Sequence, residues 1–119
     1  MKSTLAILLF AFSGFAYATS DAGSMSSNDS VARGKVVFGK YCSKCHGQNA
    51  DGRGKDAYKY KPEPTNFHIA RAARPYMLEM TKKGGNGMGR SDNMPDWDGD
   101  LTNEQIEDVV SYVMSVRGK

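Results

Sequence analysis

The stretch Tyr41-Cys42-Ser43-Lys44-Cys45-His46-Gly47 carries the densest chemistry in this 119-residue sequence. Two thiols separated by two residues lie about one helical turn apart, and an imidazole follows at once. The chain has only 2 cysteines, which excludes a disulfide-rich scaffold and a zinc site of four cysteines. The function therefore depends on what Cys42, Cys45 and His46 can bind together.

The C-x-x-C-H spacing predicts covalent haem attachment. At the end of a helix, the two thiols can reach the two vinyl groups of one haem, and the adjacent imidazole then lies under the iron. We therefore expect one haem c per chain, held through thioethers to Cys42 and Cys45, with His46 as an iron ligand. A haem also supplies core to a short chain with 13 Gly that can bury little apolar surface of its own.

Three other interpretations of the same residues are possible. A thioredoxin-like redox pair needs a βαβ setting, and no strand pattern occurs. A zinc site made from Cys42, Cys45, His46 and His68 has the wrong spacing in its second half. A disulfide between the two cysteines is compatible with an exported protein, but it leaves His46 without a role.

The N-terminus has the features of an export signal. Lys2 precedes an apolar run that ends in Ala16-Tyr17-Ala18, a small-x-small cleavage pattern. We predict a signal peptide at residues 1–18, a flexible polar linker at 19–29 and one domain at 30–119. No run is long and apolar enough to span a membrane, so we expect a soluble, monomeric protein in a bacterial periplasm.

Charge is unevenly distributed along the mature chain. Residues 33 to 90 carry thirteen Lys or Arg against four acids, a net +9, whereas residues 91 to 119 carry a net −5. Such a dipole steers encounters with an acidic surface. We expect Arg33, Lys35, Lys40 and Lys44 to dock an acidic redox partner. Nucleic acid is a poor fit, because basic and aromatic residues are not interleaved.

The pattern predicts an all-α fold of three to five helices. A first helix, capped at Asp29 or Ser30, places Val31, Gly34, Val37, Phe38 and Tyr41 on one face. Residues 67 to 73 suit a short helical turn. Pro75 suits the start of a helix that stops at Lys82-Lys83-Gly84. The last helix begins at a Thr102-x-x-Gln105 capping box, and its apolar stripe is Ile106, Val109, Val110 and Val113.

Taken in order, these segments resemble class I cytochromes c of the small bacterial type. The resemblance is carried by the motif and by four other stretches, which together span about residues 30 to 117: Gly34-Lys35-Val36-Val37-Phe38, Asp51-Gly52-Arg53-Gly54, Asn93-Met94-Pro95-Asp96-Trp97, and Leu101-Thr102-Asn103-Glu104-Gln105-Ile106 leading to Val110-Ser111-Tyr112-Val113. It implies that the first and last helices cross at Gly34, Phe38 and Tyr112. It also implies that a proline carbonyl orients His46 (Pro62 or Pro64) and that Trp97 packs near the haem.

The sixth iron ligand decides between a carrier and a catalyst. Of 7 methionines, Met77, Met80 and Met114 fall in helical stretches, where Met usually fills a core. Met94 precedes Pro95 and matches the Met-Pro of the family, so we expect Met94 to bind iron, with Met88, His68 or an open site as alternatives. A His/Met pair raises the reduction potential and leaves no position for substrate.

These expectations describe a one-electron carrier without enzymatic activity. Two rivals remain. The first is a haem subunit of a larger oxidoreductase, which would expose an apolar patch. The second is a peroxidase-like or gas-binding protein with an open sixth site, although no distal acid or base lies near the motif in sequence.

Overall fold

The structure is a computed structural model that describes residues 26 to 119. The predicted signal peptide at 1–18 and most of the 19–29 linker lie outside these residues. Four α-helices form, α1 (Ser27–Tyr41), α2 (Ser43–His46), α3 (Arg74–Gly87) and α4 (Asn103–Ser115), with a 3₁₀ turn at Ala57–Lys59. No strand forms within residues 26 to 119, and the all-α prediction is confirmed.

Helix α1 begins earlier than the sequence predicts. Its N-cap is Ser26, whose side chain accepts a hydrogen bond from the Asn28 N–H at 3.3 Å. Residues 27 to 29, which the sequence predicts to be linker, form the first turn of α1. Ser30 does not cap α1. Its hydroxyl donates to the Asp108 carboxylate on α4 at 2.6 Å, so a long-range partner has replaced the local one.

Helices α1 and α4 meet at Gly34. A Cβ atom at Gly34 would lie 1.9 Å from the carbonyl oxygen of Asp108, so the two backbones are in direct contact. The Phe38 and Tyr112 rings pack beside the crossing with centroids 5.2 Å apart. The predicted stripe of α4 is buried with Phe38 in one core, and the capping box of Thr102 and Gln105 forms as predicted.

An ion pair between a buried carboxylate and a partly exposed guanidinium secures the same crossing. Arg33 donates from Nε to the Asp108 carboxylate at 2.6 Å and from Nη2 at 2.8 Å. Asp108 is 3% exposed. The hydrogen bonds from Arg33, together with that from Ser30, hold the pKa of Asp108 below its ordinary value despite burial.

Two segments between α2 and α4 depart from expectation. Residues 67 to 73 make a turn followed by extended chain and no helix, because their polar groups bond to distant residues. Phe67 N–H donates to the Ala50 carbonyl, and Gly118 N–H donates to the His68 carbonyl. Helix α3 breaks at Gly84, at the predicted stop, but a further turn runs on to Gly87.

No helix in the part of the chain described here is long and apolar enough to cross a membrane.

Candidate functional site

A cavity of about 580 Å³ opens between α2, the loop after it, α3 and the loop before α4. Cys42, Cys45, His46 and Met94 all line it, so four residues that lie up to 52 positions apart in the sequence share one chamber. Half of the remaining lining residues are aromatic, proline or alanine, and two more are methionines. A volume in this range and a mostly apolar wall suit a large planar ligand.

Helix α2 holds the motif and is fixed by the loop that follows it. The last carbonyls of a helix have no partner within the helix and must be satisfied elsewhere. Here N–H groups of residues 52 to 56 supply those partners, and the loop closes back over the motif. The bonds run from Gly52 to His46 at 2.8 Å, from Gly54 to Cys45 at 3.0 Å and from Asp56 to Lys44 at 3.0 Å.

A side-chain cluster supports the same loop. Asp56 is 7% exposed and accepts Lys59 at 2.6 Å and Lys44 at 3.2 Å. The hydrogen bond from Lys59 is the main cause of a lowered pKa at Asp56. Lys44, inside the motif, is thereby tied to the loop that covers the motif.

His46 is oriented by a backbone carbonyl, but by a residue other than those expected. Its Nδ1 lies 3.2 Å from the carbonyl oxygen of Thr65. A carbonyl can only accept, so Nδ1 carries the proton and Nε2 keeps its lone pair. Neither Pro62 nor Pro64 fills this role. The Pro64 carbonyl instead packs on Gly52, where a Cβ atom would lie 2.6 Å from it.

The His46 imidazole is packed as well as hydrogen-bonded. Its ring centroid lies 4.7 Å from that of Phe67 and 6.5 Å from that of Phe38. Burial lowers the pKa of His46, and the bond to Thr65 offsets only part of this effect. The imidazole is therefore neutral at pH 7, as a metal ligand must be.

The two cysteines are free thiols, and the disulfide alternative does not form. Burial, with a smaller contribution from Cys45, raises the pKa of Cys42 to about 12. A redox-active dithiol requires a lowered thiol pKa. The environment of Cys42 therefore does not favour the thioredoxin-like alternative.

The zinc alternative also lacks its fourth ligand. The His68 ring lies between two carbonyl oxygens, that of Asn49 at 2.6 Å from Nε2 and that of Lys119 at 3.0 Å from Nδ1. His68 does not line the cavity. Across residues 26 to 119, no group of three or more His, Cys, Asp or Glu could hold a metal ion.

Three methionines line the cavity, because Met77 and Met80 on α3 border it together with Met94. Met77 is 8% exposed and belongs to the core, as predicted for a helical methionine, but the sequence did not indicate that Met77 and Met80 also line the cavity. Met88, one alternative for the sixth ligand, does not line the cavity. Met77 is engaged elsewhere, because the Arg117 guanidinium contacts its sulfur.

The backbone of Met94 is seated on the break in α3. Gly85 N–H donates to the Met94 carbonyl at 2.9 Å. Gly84 has φ 67°, and a Cβ atom there would lie 2.6 Å from the Asp96 nitrogen and 2.8 Å from the Met94 oxygen. Only glycine fits both this conformation and this contact.

Trp97 anchors the end of the same loop. Its N–H donates to the Thr81 carbonyl at 3.1 Å, and its ring packs on Tyr41 with centroids 5.6 Å apart. Trp97 lines the cavity, where the resemblance places the family tryptophan. The loop that carries Met94 is thus held to α3 at two points, the Met94 carbonyl and the Trp97 N–H.

The four cations expected to dock a partner differ in their availability. Arg33 is bound to Asp108, and Lys44 is bound to Asp56. Lys35 and Lys40 make no ion pair within the described part of the chain, and both are exposed. Lys40 lies over the Tyr41 ring, 4.9 Å from its centroid.

The chain is similar to known proteins. Residues 29–113 match a family profile described as cytochrome c oxidase, cbb3-type, subunit III. No curated protein sequence matches the chain.

Two solved structures share the fold. One belongs to a reducing HAO-like protein complex of Kuenenia stuttgartiensis, with 28% identity, a TM-score of 0.61, and coverage of 71% of this chain and 41% of that one. The other is cytochrome CL of Methylophaga aminisulfidivorans, with 19% identity, a TM-score of 0.55, and coverage of 74% and 55%. This chain therefore spans well under two thirds of either.

Proposed function

This chain belongs to the family described as cytochrome c oxidase, cbb3-type, subunit III, and on that basis we propose that it carries a single haem c and transfers one electron at a time between redox proteins. It is a class I c-type cytochrome with an all-α fold. The family implies haem c. The attachment points, the axial ligands and the role as a carrier are our proposal.

Cys42 and Cys45 are the proposed attachment points, through one thioether each. They are the only cysteines in the chain, both are free, and both line the cavity. The bound haem iron would supply the one-electron couple. The surrounding wall would exclude water from it, which favours outer-sphere transfer over reaction with solvent.

His46 and Met94 are the proposed axial ligands. The hydrogen bond from Nδ1 to the Thr65 carbonyl leaves Nε2 of His46 with a free lone pair that can bind iron. Met94 lies on a loop whose backbone is fixed by Gly85, whereas the sulfur of Met77 is occupied by Arg117. A thioether is a soft ligand that stabilises ferrous iron, so the pair would raise the reduction potential.

The observation that carries this proposal is the shared cavity. Cys42, Cys45, His46 and Met94 line it together, and two thiols, an imidazole and a thioether are the donor set that a closed His/Met haem c requires. With both axial positions taken, no site would remain for a substrate. We therefore propose a carrier with no enzymatic reaction of its own.

Optical spectra of the loaded protein test the ligand assignment. The ferric form should show the weak long-wavelength iron–sulfur band, and the ferrous form should bind carbon monoxide poorly. Met94→Ala should abolish the band and admit carbon monoxide. Met80→Ala, which removes a sulfur from the same wall, is the matched control and should keep the band. Ready carbon monoxide binding by the wild type would indicate an open, gas-binding or peroxidase-like site instead.

We further propose export to the periplasm, a monomeric state and a partner with an acidic docking surface. Of the four cations predicted to dock a partner, Lys35 and Lys40 are the two that are exposed and form no ion pair within residues 26 to 119. Lys35→Gln with Lys40→Gln should slow electron transfer to the partner several-fold at low salt and have little effect at high salt. Electron-transfer rates of the wild type that do not change with ionic strength would contradict the docking proposal.

A second candidate is a haem subunit held permanently in a larger oxidoreductase. The family description names an oxidase subunit, and one structural neighbour comes from a protein complex. Val36 and Ile69 are 73% and 71% exposed, as side chains at an interface are in the isolated chain. Native mass spectrometry of the protein from its host would distinguish the two: a fixed partner at constant stoichiometry favours the subunit, and a free 1:1 haem–chain species favours the carrier.

A further inference from the structure

Arg117 occupies an unusual position for an arginine. It follows α4, and its Nε is the buried side-chain nitrogen or oxygen atom that finds no hydrogen-bond partner among residues 26 to 119. Its Nη2 donates to the Ala72 carbonyl and contacts the Met77 sulfur. Ala72 and Met77 both line the cavity. The guanidinium therefore lies directly behind the cavity wall.

The charge on Arg117 is not neutralised by a carboxylate. Two other arginines that pack on α4 are paired, Arg33 with Asp108 and Arg74 with Glu107. For Arg117, no carboxylate oxygen lies within 4.0 Å in the described part of the chain. Its neighbours are a carbonyl and a thioether, which are neutral dipoles. An arginine does not lose its proton in proteins, so this is a fixed positive charge.

We propose that Arg117 raises the reduction potential of the cofactor in this cavity by holding an unpaired positive charge behind its wall. The inference rests on the proposed function. One-electron reduction lowers the charge of the redox centre by one, and a nearby fixed cation favours the less positive form. Partial burial keeps solvent and salt from screening the interaction fully.

The contact between Arg117 and Met77 leads to a second expectation. The guanidinium lies at the thioether of Met77, so that sulfur faces a cation on the far side of the wall. Removing the charge should change the potential without changing the axial ligands. This separates an electrostatic role from a rearrangement of the site.

The test is a spectroelectrochemical titration of the loaded protein carrying Arg117→Gln, Arg117→Lys or Lys35→Gln. Arg117→Gln keeps a donor for the Ala72 carbonyl but removes the charge. Its equilibrium constant for accepting an electron from a fixed reference couple should fall roughly tenfold, for a unit charge at an effective dielectric constant of about 20. Arg117→Lys should retain most of the wild-type value.

Lys35→Gln is the control for net charge, since Lys35 is exposed and unpaired within residues 26 to 119. Its smaller shift should vanish at high salt, whereas the shift of Arg117→Gln should persist. If Arg117→Gln does not accumulate, Arg117→Met fills the same space without charge and gives the same comparison. An unchanged potential in the neutral variant, with the iron–sulfur band intact, would overturn the proposal. Absence of that band in the wild type would instead refute the His/Met assignment.

Discussion

The two sides of the cavity are built in different ways. On the histidine side, the partners of α2 come from the next twenty residues: the loop at 52 to 56 covers its carbonyls, and Thr65 orients His46. On the methionine side, the loop that carries Met94 depends on a break in a separate helix, at Gly84 and Gly85. Both sides rely on a close backbone contact at a glycine, Gly54 on the first side and Gly84 on the second. They differ in what the helix carries, because α2 and its N-cap hold both cysteines and His46, whereas α3 holds none of them.

This difference has a consequence for what each side tolerates. Damage to the histidine side should prevent the cofactor from being held at all, because the attachment points and the ligand lie within five residues, on α2 and its N-cap. Damage to the methionine side should leave the cofactor attached and change only its sixth ligand. Three substitutions, in order of decreasing effect, test this difference.

Gly54→Ala should have the largest effect. Its Cβ atom would lie 2.2 Å from the Lys44 carbonyl oxygen, so the loop could not close over the motif, a loss of about 3 kcal/mol. We expect the fraction of chains that retain covalent haem on a denaturing gel to fall severely. Gly39→Ala, on α1 with nothing within 4 Å of the new Cβ, should load normally and gain about 0.5–1 kcal/mol. Normal loading of Gly54→Ala would show that the loop is not needed.

Gly84→Ala should affect only the methionine side. The left-handed conformation at φ 67° and the contact with the Asp96 nitrogen both oppose a side chain, for a cost of about 2 kcal/mol. Covalent haem should be retained, while the iron–sulfur band weakens and carbon monoxide binding increases. Gly89→Ala has the same strain at φ 64° but open space around it, and it should keep the band. Equal spectra in the two variants would contradict a specific role for the Gly84 contact.

Asp108→Asn should weaken the scaffold under both sides equally. It leaves Arg33 without its partner, and we expect a loss of about 2 kcal/mol at pH 7, given the partial exposure of Arg33. The pKa of Asp108 is lowered in the folded state, so its contribution is present above the unfolded pKa of about 3.9 and disappears as the pH falls through the folded value.

Chemical denaturation at pH 7 and at about pH 2–3 measures this change. The difference between Asp108→Asn and wild type should narrow in acid, and the ligand spectrum should stay the same at pH 7. Glu104→Gln is the control, because that carboxylate is 63% exposed and 3.6 Å from Arg33; it should change stability by less than about 1 kcal/mol. A gap of constant size across the pH range would contradict the electrostatic explanation.

The same contrast explains what the sequence could predict. Helix α4 was predicted in detail, because a capping box and an apolar stripe are local patterns that the structure keeps. The start of α1 was wrong, since Ser30 bonds to Asp108 on the other helix and Ser26 takes its place as cap. The helical turn at 67 to 73 was wrong for a similar reason, because partners distant in sequence satisfy that backbone.

The candidate site was predicted unevenly. The sequence named the four residues that line the cavity together, and their ligand roles stay predictions. It did not indicate that Met77 and Met80 reach the same wall, although their spacing of three residues on α3 is a signal that could have been used. The Thr65 carbonyl and the Arg117 guanidinium had no signal at all. A backbone acceptor carries no side-chain signature, and Arg117 gains its role only from the packing of the C-terminal turn.

The contact at Gly34 bears on how far such sequences can diverge. The backbone of α1 at Gly34 contacts the Asp108 carbonyl of α4 directly. The distance between these two helices is therefore set by backbone atoms and not by side chains. Core residues around this contact can be exchanged for others of similar volume without moving the helices that frame the cavity. The sequence can therefore change at many core positions while Gly34 alone preserves the distance between these two helices.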